Sequence, residues 1–261
     1  MDILDKIVAD KRQEVALKKQ LISVEALEKF PLFDRESPSL SESLKKAEVG
    51  IIAEHKRRSP SRAVINNSLD IHKVAQGYQK AGACGMSVLT DGKHFGGSLD
   101  DLILARSVVD FPLLRKDFTI DEYQIIEAKA YGADVILLIA AILDPGEIKQ
   151  FSELTNSLGM EVLLEVHNLD ELKASIIPGI EMLGVNNRNL KTFEVALDTS
   201  RSLCEHIPEG MVKVSESGIS NPEAIRDLQG YGYQGFLVGE HFMKNEDPGR
   251  SASEFINKVK G

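Results

Sequence analysis

The chain has little of what would tie it to a nucleic acid, a membrane or a metal. Its 31 lysines and arginines are outnumbered by 40 aspartates and glutamates, giving a formal charge of −9 over 261 residues. Binding to a phosphate backbone depends on clustered cations that release counterions. No nucleic-acid partner is therefore expected, and an anionic substrate would need a pocket that is positive only locally. There is no run of about twenty apolar residues to span a bilayer. The charged start MDILDKIVADKRQEV is unlike a secretion signal, which points to the cytoplasm. The two cysteines, Cys84 and Cys204, lie far apart and match no metal-ligand spacing, so reduced thiols filling core space fit better than a disulfide or zinc site. The six histidines share no ligand spacing either, so no metal is expected and none of them is assigned to catalysis.

Long polar and low-complexity tracts are absent too. With 43% hydrophobic and 27% charged residues, the composition is that of a globular protein with a sizeable core. From about Gly50 onward, short apolar runs alternate with longer segments of helical periodicity, the pattern of repeated βα units around a parallel sheet. Eight runs are predicted as strands: Ile51 to Lys56, Met86 to Thr90, Leu113 to Phe118, Val135 to Ala140, Val162 to His167, Met182 to Asn187, Val212 to Glu216 and Phe236 to Gly239. Several are nearly continuous in Ile, Leu and Val, as strands buried on both faces require.

Helix starts are marked by Ser98 with Asp101 three residues on, by Asp121, and by Asp144 followed by Pro145. Helix ends are marked by Gly82, Gly132, Gly159 and Gly232, since glycine tolerates the left-handed cap. Eight such units can close into a single (βα)₈ TIM barrel or lie in an open doubly wound sheet. No glycine-rich dinucleotide turn follows the first strand, which favours the barrel. Residues 1–49 precede the first strand and read as an N-terminal helical extension capping a single domain that spans 1–261. Its first helix is amphipathic through Ile3, Ile7, Val8, Val15 and Leu17, and Pro31 and Pro38 fall in breaks.

In such a barrel the reacting groups sit at the carboxyl ends of the strands, so polar residues closing apolar runs are the informative ones. IIAEHK ends in Glu54 and Lys56, LLRKDF contains Lys116, VLLEVH contains Glu165, LGVNNRN contains Asn186 and Arg188, and VKVSESG contains Glu216 and Ser217. Side chains two apart share a face. That puts Glu54 with Lys56, Lys116 with Phe118, and Asn186 with Arg188 in one inward ring, and turns His55 outward. Taken singly, each is equally readable as a solvated rim residue or half of an ion pair. A second cluster suits phosphate: Ser59, Pro60 and Ser61 after the first strand, Gly218 after the seventh, and Gly239 before a short helical stretch from Glu240. The same glycines also read as simple turns, and in the run Phe95-Gly96-Gly97-Ser98 the serine reads most simply as a helix cap.

Taken together, IIAEHKRRSPS, FGGSLDDL, LLRKDF, LLEVH, GVNNRNL, VSESGI and FLVGE resemble, in order, the strand-end motifs of the indole-3-glycerol-phosphate synthases. The resemblance runs from about residue 1 to the C-terminus. It implies a carboxy-lyase of tryptophan biosynthesis that needs no metal or organic cofactor and acts on a small anionic sugar phosphate. By the same resemblance Lys116 is the general acid, kept charged by Glu54, and Lys56 meets the substrate carboxylate and moves a proton in the loss of water. Arg188 adds positive charge, Glu165 is the general base, Asn186 and Glu216 hold hydroxyls, and Ser217 lines the site. Pro60, Phe95, Phe118 and Leu137 are the candidates for the apolar slot that an anthranilate ring needs.

Two positions depart from the family pattern. Ala63 stands in SPSRAV where many relatives carry glycine, which stiffens that loop, and Glu240 stands where some relatives have serine, which brings a carboxylate toward the phosphate corner unless it turns away. Two other functions remain open at the level of sequence: an aldolase using Lys116 as a Schiff-base nucleophile, and a phosphate-ligand sensor without turnover. A monomer is expected, with docking to other enzymes of the tryptophan pathway left open.

Overall fold

The computed structural model describes residues 3–60, 62–190 and 192–261. Eight short strands, β1 (Ile51–His55), β2 (Gly85–Leu89), β3 (Leu113–Lys116), β4 (Val135–Ile139), β5 (Glu161–Val166), β6 (Met182–Asn186), β7 (Val212–Glu216) and β8 (Gly235–Val238), pair in parallel, each with the next. β8 returns to β1 through Ile51↔Phe236, Ile52↔Leu237 and Ala53↔Val238. The sheet is a closed (βα)₈ barrel, and the open-sheet alternative is excluded. Lys56, Phe118 and His167, expected inside strands, lie one or two residues beyond the last ladder position.

Strand alternation builds two cores. Ile51, Ala53, Val88, Leu113, Ile136, Leu138, Val162 and Leu164 face out and pack with the surrounding helices. Ile52, Leu114, Val135, Leu137, Leu163, Met182, Val212 and Val214 face in and fill the barrel. Each such side chain contributes about 1.5–3 kcal/mol on full burial. A one-residue slip of any strand would exchange the two sets, so the register is strongly fixed.

The helix punctuation follows local chemistry. Ser98, Asp121 and Asp144 each accept a backbone N–H at a helix start, the last in a reciprocal box with Glu147. Gly82, Gly132, Gly159 and Gly232 have φ of +84°, +87°, +70° and +82°.

The amino-terminal segment forms α1 (Ile3–Leu21), α2 (Val24–Leu27) and α3 (Leu40–Lys46), and its two longer helices serve opposite ends of the barrel. Leu40 and Leu44 of α3 join the inner core from below. The first residues of α3 also cover the carboxylate of Glu161: Ser39 Oγ, Leu40 N, Ser41 N and Ser41 Oγ donate to it at 2.5, 2.8, 3.0 and 2.7 Å. α1 lies at the other end. Its buried stripe is Ile7, Lys11 and Val15, with Val8 half-buried and Leu17 exposed, so the expected apolar face is narrower than the sequence suggests and carries a lysine at its centre. Both cysteines are free, Cys204 buried and Cys84 half-buried. Among the described residues no helix is long and apolar enough to cross a membrane, and no cluster of three or more His, Cys, Asp or Glu could hold a metal.

Candidate active site

At the carboxyl ends of the strands the barrel opens into a cavity of about 350 Å³. Every described site residue expected from sequence lines it. Glu54, Lys56, Lys116, Glu165, Asn186 and Glu216 form the floor, and Ser59, Pro60, Phe95, Phe118, Leu137 and Arg188 lie around it. Ser217, Gly218, Gly239 and Glu240 complete the rim. Ser61 lies outside the described residues. His55 turns outward as expected; burial and the nearby Arg57 push its pKa down to about 4.

Lys116 stands at the centre. Its Nζ donates to Glu165 Oε2 at 2.8 Å and lies 3.3 Å from Glu216 Oε2. Burial disfavours its ammonium, but Glu165, Glu216 and Glu54 together outweigh that penalty and raise its pKa above the ordinary lysine value. The expectation that Glu54 is its main partner is corrected: Glu54 accepts from Lys56 Nζ at 2.6 Å and acts on Lys116 only at longer range. The two lysines thus divide three carboxylates between them.

The carboxylates differ in charge state for stated reasons. Burial would raise Glu165, yet Lys116 and the neighbouring His167 hold it well below the usual carboxylate range. Glu216 is buried as deeply and is repelled by Glu165 and Glu54, which outweighs Lys116 and pushes it up to about 8. Near neutrality the site therefore holds an ionised Glu165 beside a protonated Glu216, two carboxyl groups separated by environment. Glu216 Oε1 is buried and has no hydrogen-bond partner among the described residues. Asn186 Nδ2 donates to Glu165 Oε1 at 3.1 Å, and Asn186 Oδ1 accepts from Arg188 N at 3.0 Å, which fixes the amide.

Two glycines make room for these acids. Gly184 sits opposite Glu165 in the ladder, and a Cβ there would overlap Glu216 Oε1. A Cβ on Gly239 would come 2.6 Å from Glu54 Oε1, so this glycine admits a carboxylate as well as turning the chain. Beside them, Ser217 and Gly218 follow one another with φ of +67° and +81°. A left-handed non-glycine residue costs about 1–2 kcal/mol, and Asn187 Nδ2 holds it by donating to the Ser217 carbonyl at 3.2 Å. Strain kept at a strand end in this way is typical of a binding turn.

On the opposite wall Phe95 and Phe118 pack with centroids 5.9 Å apart. They stay in place through charges missed in the sequence. Lys11 of α1, buried, reaches Asp91 at 3.1 Å and Asp117 at 2.9 Å. Asp91 caps the turn carrying Phe95, and Asp117 lies between Lys116 and Phe118. α1 also lends Ile3, Leu4 and Ile7 to the cavity. No local motif announces these contacts, although a lysine in the middle of an apolar stripe was a visible sign. His167 was also missed; its position two residues after Glu165 puts it on the same face. At the rim Glu240 pairs with Arg62, both half-exposed.

Comparison with known proteins agrees with this geometry. The family model for indole-3-glycerol phosphate synthase matches residues 4–255. The chain belongs to the indole-3-glycerol phosphate synthase family. Its relatives of that name include proteins of Bacteroides thetaiotaomicron, 46% identical over 258 residues with 99% of each chain covered, and Salinibacter ruber, 43% identical with 97% and 94% covered. That of Bordetella pertussis is 43% identical with 98% and 99% covered. A solved thiamine phosphate pyrophosphorylase from Pyrococcus furiosus shares 17% identity at a TM-score of 0.61, covering 85% of this chain and 98% of its own, which speaks for the fold alone. Within the indole-3-glycerol phosphate synthase family these matches run nearly end to end, so they include residues before β1.

Proposed function

We propose that this protein converts 1-(2-carboxyphenylamino)-1-deoxyribulose 5-phosphate into indole-3-glycerol phosphate, carbon dioxide and water, with Lys116 as general acid and Glu165 as general base. The observation that carries the reading is Lys116 Nζ donating at 2.8 Å to Glu165 Oε2, between an aromatic wall and a glycine-bearing turn.

The anthranilate ring lies against Pro60, Phe95, Phe118 and Leu137, and the phosphate at Ser59, Gly218 and Gly239. Lys56, with Arg188, faces the substrate carboxylate. Ring closure joins the carboxylate-bearing aromatic carbon to the ketone carbon while the ketone oxygen takes the proton of Lys116. Cleavage of the bond to the carboxylate releases carbon dioxide and restores the aromatic ring. The new hydroxyl then leaves as water with a proton supplied by Lys56 or the re-protonated Lys116, and Glu165 takes a proton from the adjacent methylene carbon. Asn186 and the protonated Glu216 hydrogen-bond substrate hydroxyls. A raised lysine pKa favours the acid over the aldolase alternative, whose nucleophile must be a free amine. Glu240 stands at the rim, and its pairing with Arg62 offsets its charge beside the phosphate corner.

Mixing the purified protein with the carboxyphenylamino substrate and following indole fluorescence tests reaction and substrate together. Absence of the signal, or a borohydride-trapped adduct on Lys116 with a keto-sugar phosphate, would end the reading. We place the protein in the cytoplasm as a monomer, with size-exclusion chromatography as the check.

A further inference from the structure

Just past the end of β5, His167 shares the inward face with Glu165 and is nearly buried, at 11% side-chain exposure. Its Nε2 lies 3.3 Å from Glu165 Oε1, close enough to act on that carboxylate directly. On its other side Nδ1 meets Glu171 Oε2 at 3.2 Å, and the same oxygen accepts the His167 backbone N–H at 2.7 Å. Glu171 opens the helix Leu169–Ser175, where Asn168 is the cap and donates to Glu171 Oε1 at 2.7 Å. The imidazole is thus held between one carboxylate in the cavity and one anchored at a helix start.

We infer that His167 is a positioning residue, an imidazolium that keeps Glu165 ionised and turned toward the cavity so that it can take a proton from substrate. The inference rests on the reading of Glu165 as general base and adds the group that sets its strength. The charged groups facing the pair are Glu171 from the following helix, Lys116 from β3 and, beyond Lys116, Glu216 from β7. Asn186 occupies the remaining side of Glu165. Between giving its proton to the ketone oxygen and being re-protonated, Lys116 is neutral and its hold on Glu165 is lost. His167 keeps its charge through that interval, because Glu171 secures it from outside the cavity. Burial works against the imidazolium, but Glu165 and Glu171 raise its pKa to about 10.

Coupling between two titrating groups is reciprocal, so the test reads it from both sides. ¹⁵N-histidine NMR of the whole protein should give a His167 midpoint near pH 10. In Glu165→Gln the midpoint should fall by about one pH unit or more, since an anion is removed. In His167→Gln the acid limb of the kcat–pH profile should move up by a similar amount, so that kcat on the limb itself falls about tenfold while kcat at neutral pH and KM stay within about twofold. A His167 midpoint unchanged by Glu165→Gln overturns the inference, as does a His167→Gln profile superimposable on the parent with only Tm lowered. Should His167→Gln fail to fold, Glu171→Gln keeps an acceptor for the helix cap and must lower the His167 midpoint; no movement is again fatal. Parental turnover in Glu165→Gln would instead remove the general-base reading, whatever the NMR coupling shows.

Discussion

Both ends of the barrel bury acidic side chains, and they treat them differently. At the base, Glu161 accepts four hydrogen bonds from the start of α3. Asp134, fully buried, is met by Arg106 Nη1 and Leu113 N at 2.8 Å each and by Arg35. These carboxylates have spent their hydrogen-bonding capacity on the protein. At the mouth, Glu54, Glu165 and Glu216 share two lysines, and Glu216 keeps a buried oxygen without a partner among the described residues. An unmet buried polar atom costs about 1–3 kcal/mol, a cost that substrate can remove and that folding alone does not. Glu216 is thus set apart from Glu161 and Asp134 by what remains unsatisfied around it, not by depth.

The contrast is broken most severely at Lys116. Lys116→Ala should lower kcat by about 10²–10⁴-fold, the usual worth of a positioned acid, while equilibrium binding of the product largely survives. Equal losses of binding and turnover would show that the lysine only holds the ligand. At the other end, Glu161→Ala should leave kcat/KM of the folded enzyme unchanged and reduce stability by about 2–3 kcal/mol, seen as a lower urea midpoint, because four donors lose a charged acceptor. A fall in kcat would contradict the division between the ends.

The next effect is on pH. Glu216 has a pKa raised to about 8 in the folded protein, so it is a neutral donor below that pH and an anion above it. Activity should decline as pH rises through about 8, and Glu216→Gln, which cannot ionise, should flatten that limb while keeping kcat within about tenfold. The smallest effect is expected at the half-exposed Arg62–Glu240 pair. Arg62→Ala should change stability by no more than about 1 kcal/mol but free the Glu240 carboxylate beside the phosphate corner, raising KM a few-fold with kcat held.

Much of this was legible before any coordinates. Apolar runs and alternation placed the strands, and the rule that reacting groups close the strands gathered the cavity from Glu54 to Gly239. What alternation cannot supply is which neighbour a side chain meets. Glu54 looked like the partner of Lys116, yet the register sets Gly184 opposite Glu165, and that gap lets Glu216 approach, which leaves Glu54 to Lys56. The ion pairs of Lys11 with Asp91 and Asp117 were illegible for the same reason, since they span 80 and more residues. His167 was within reach: the spacing that grouped Glu54 with Lys56 applies equally to Glu165 and His167, and only the expectation that histidine acts through metal or direct catalysis passed it over.

Gly184 carries a practical consequence. Protein stabilisation by substitution commonly begins by exchanging glycine for alanine, which restricts the unfolded chain and is worth about 0.4–1 kcal/mol where the native backbone tolerates it. On backbone grounds Gly184 invites that exchange, because it sits inside a regular strand at an ordinary φ. The added methyl would displace the very oxygen that folding leaves unmatched. Relieving that overlap moves Glu216 away from Lys116 and costs about 1–3 kcal/mol, more than the exchange returns, so this glycine is one that neither heat tolerance nor turnover lets go.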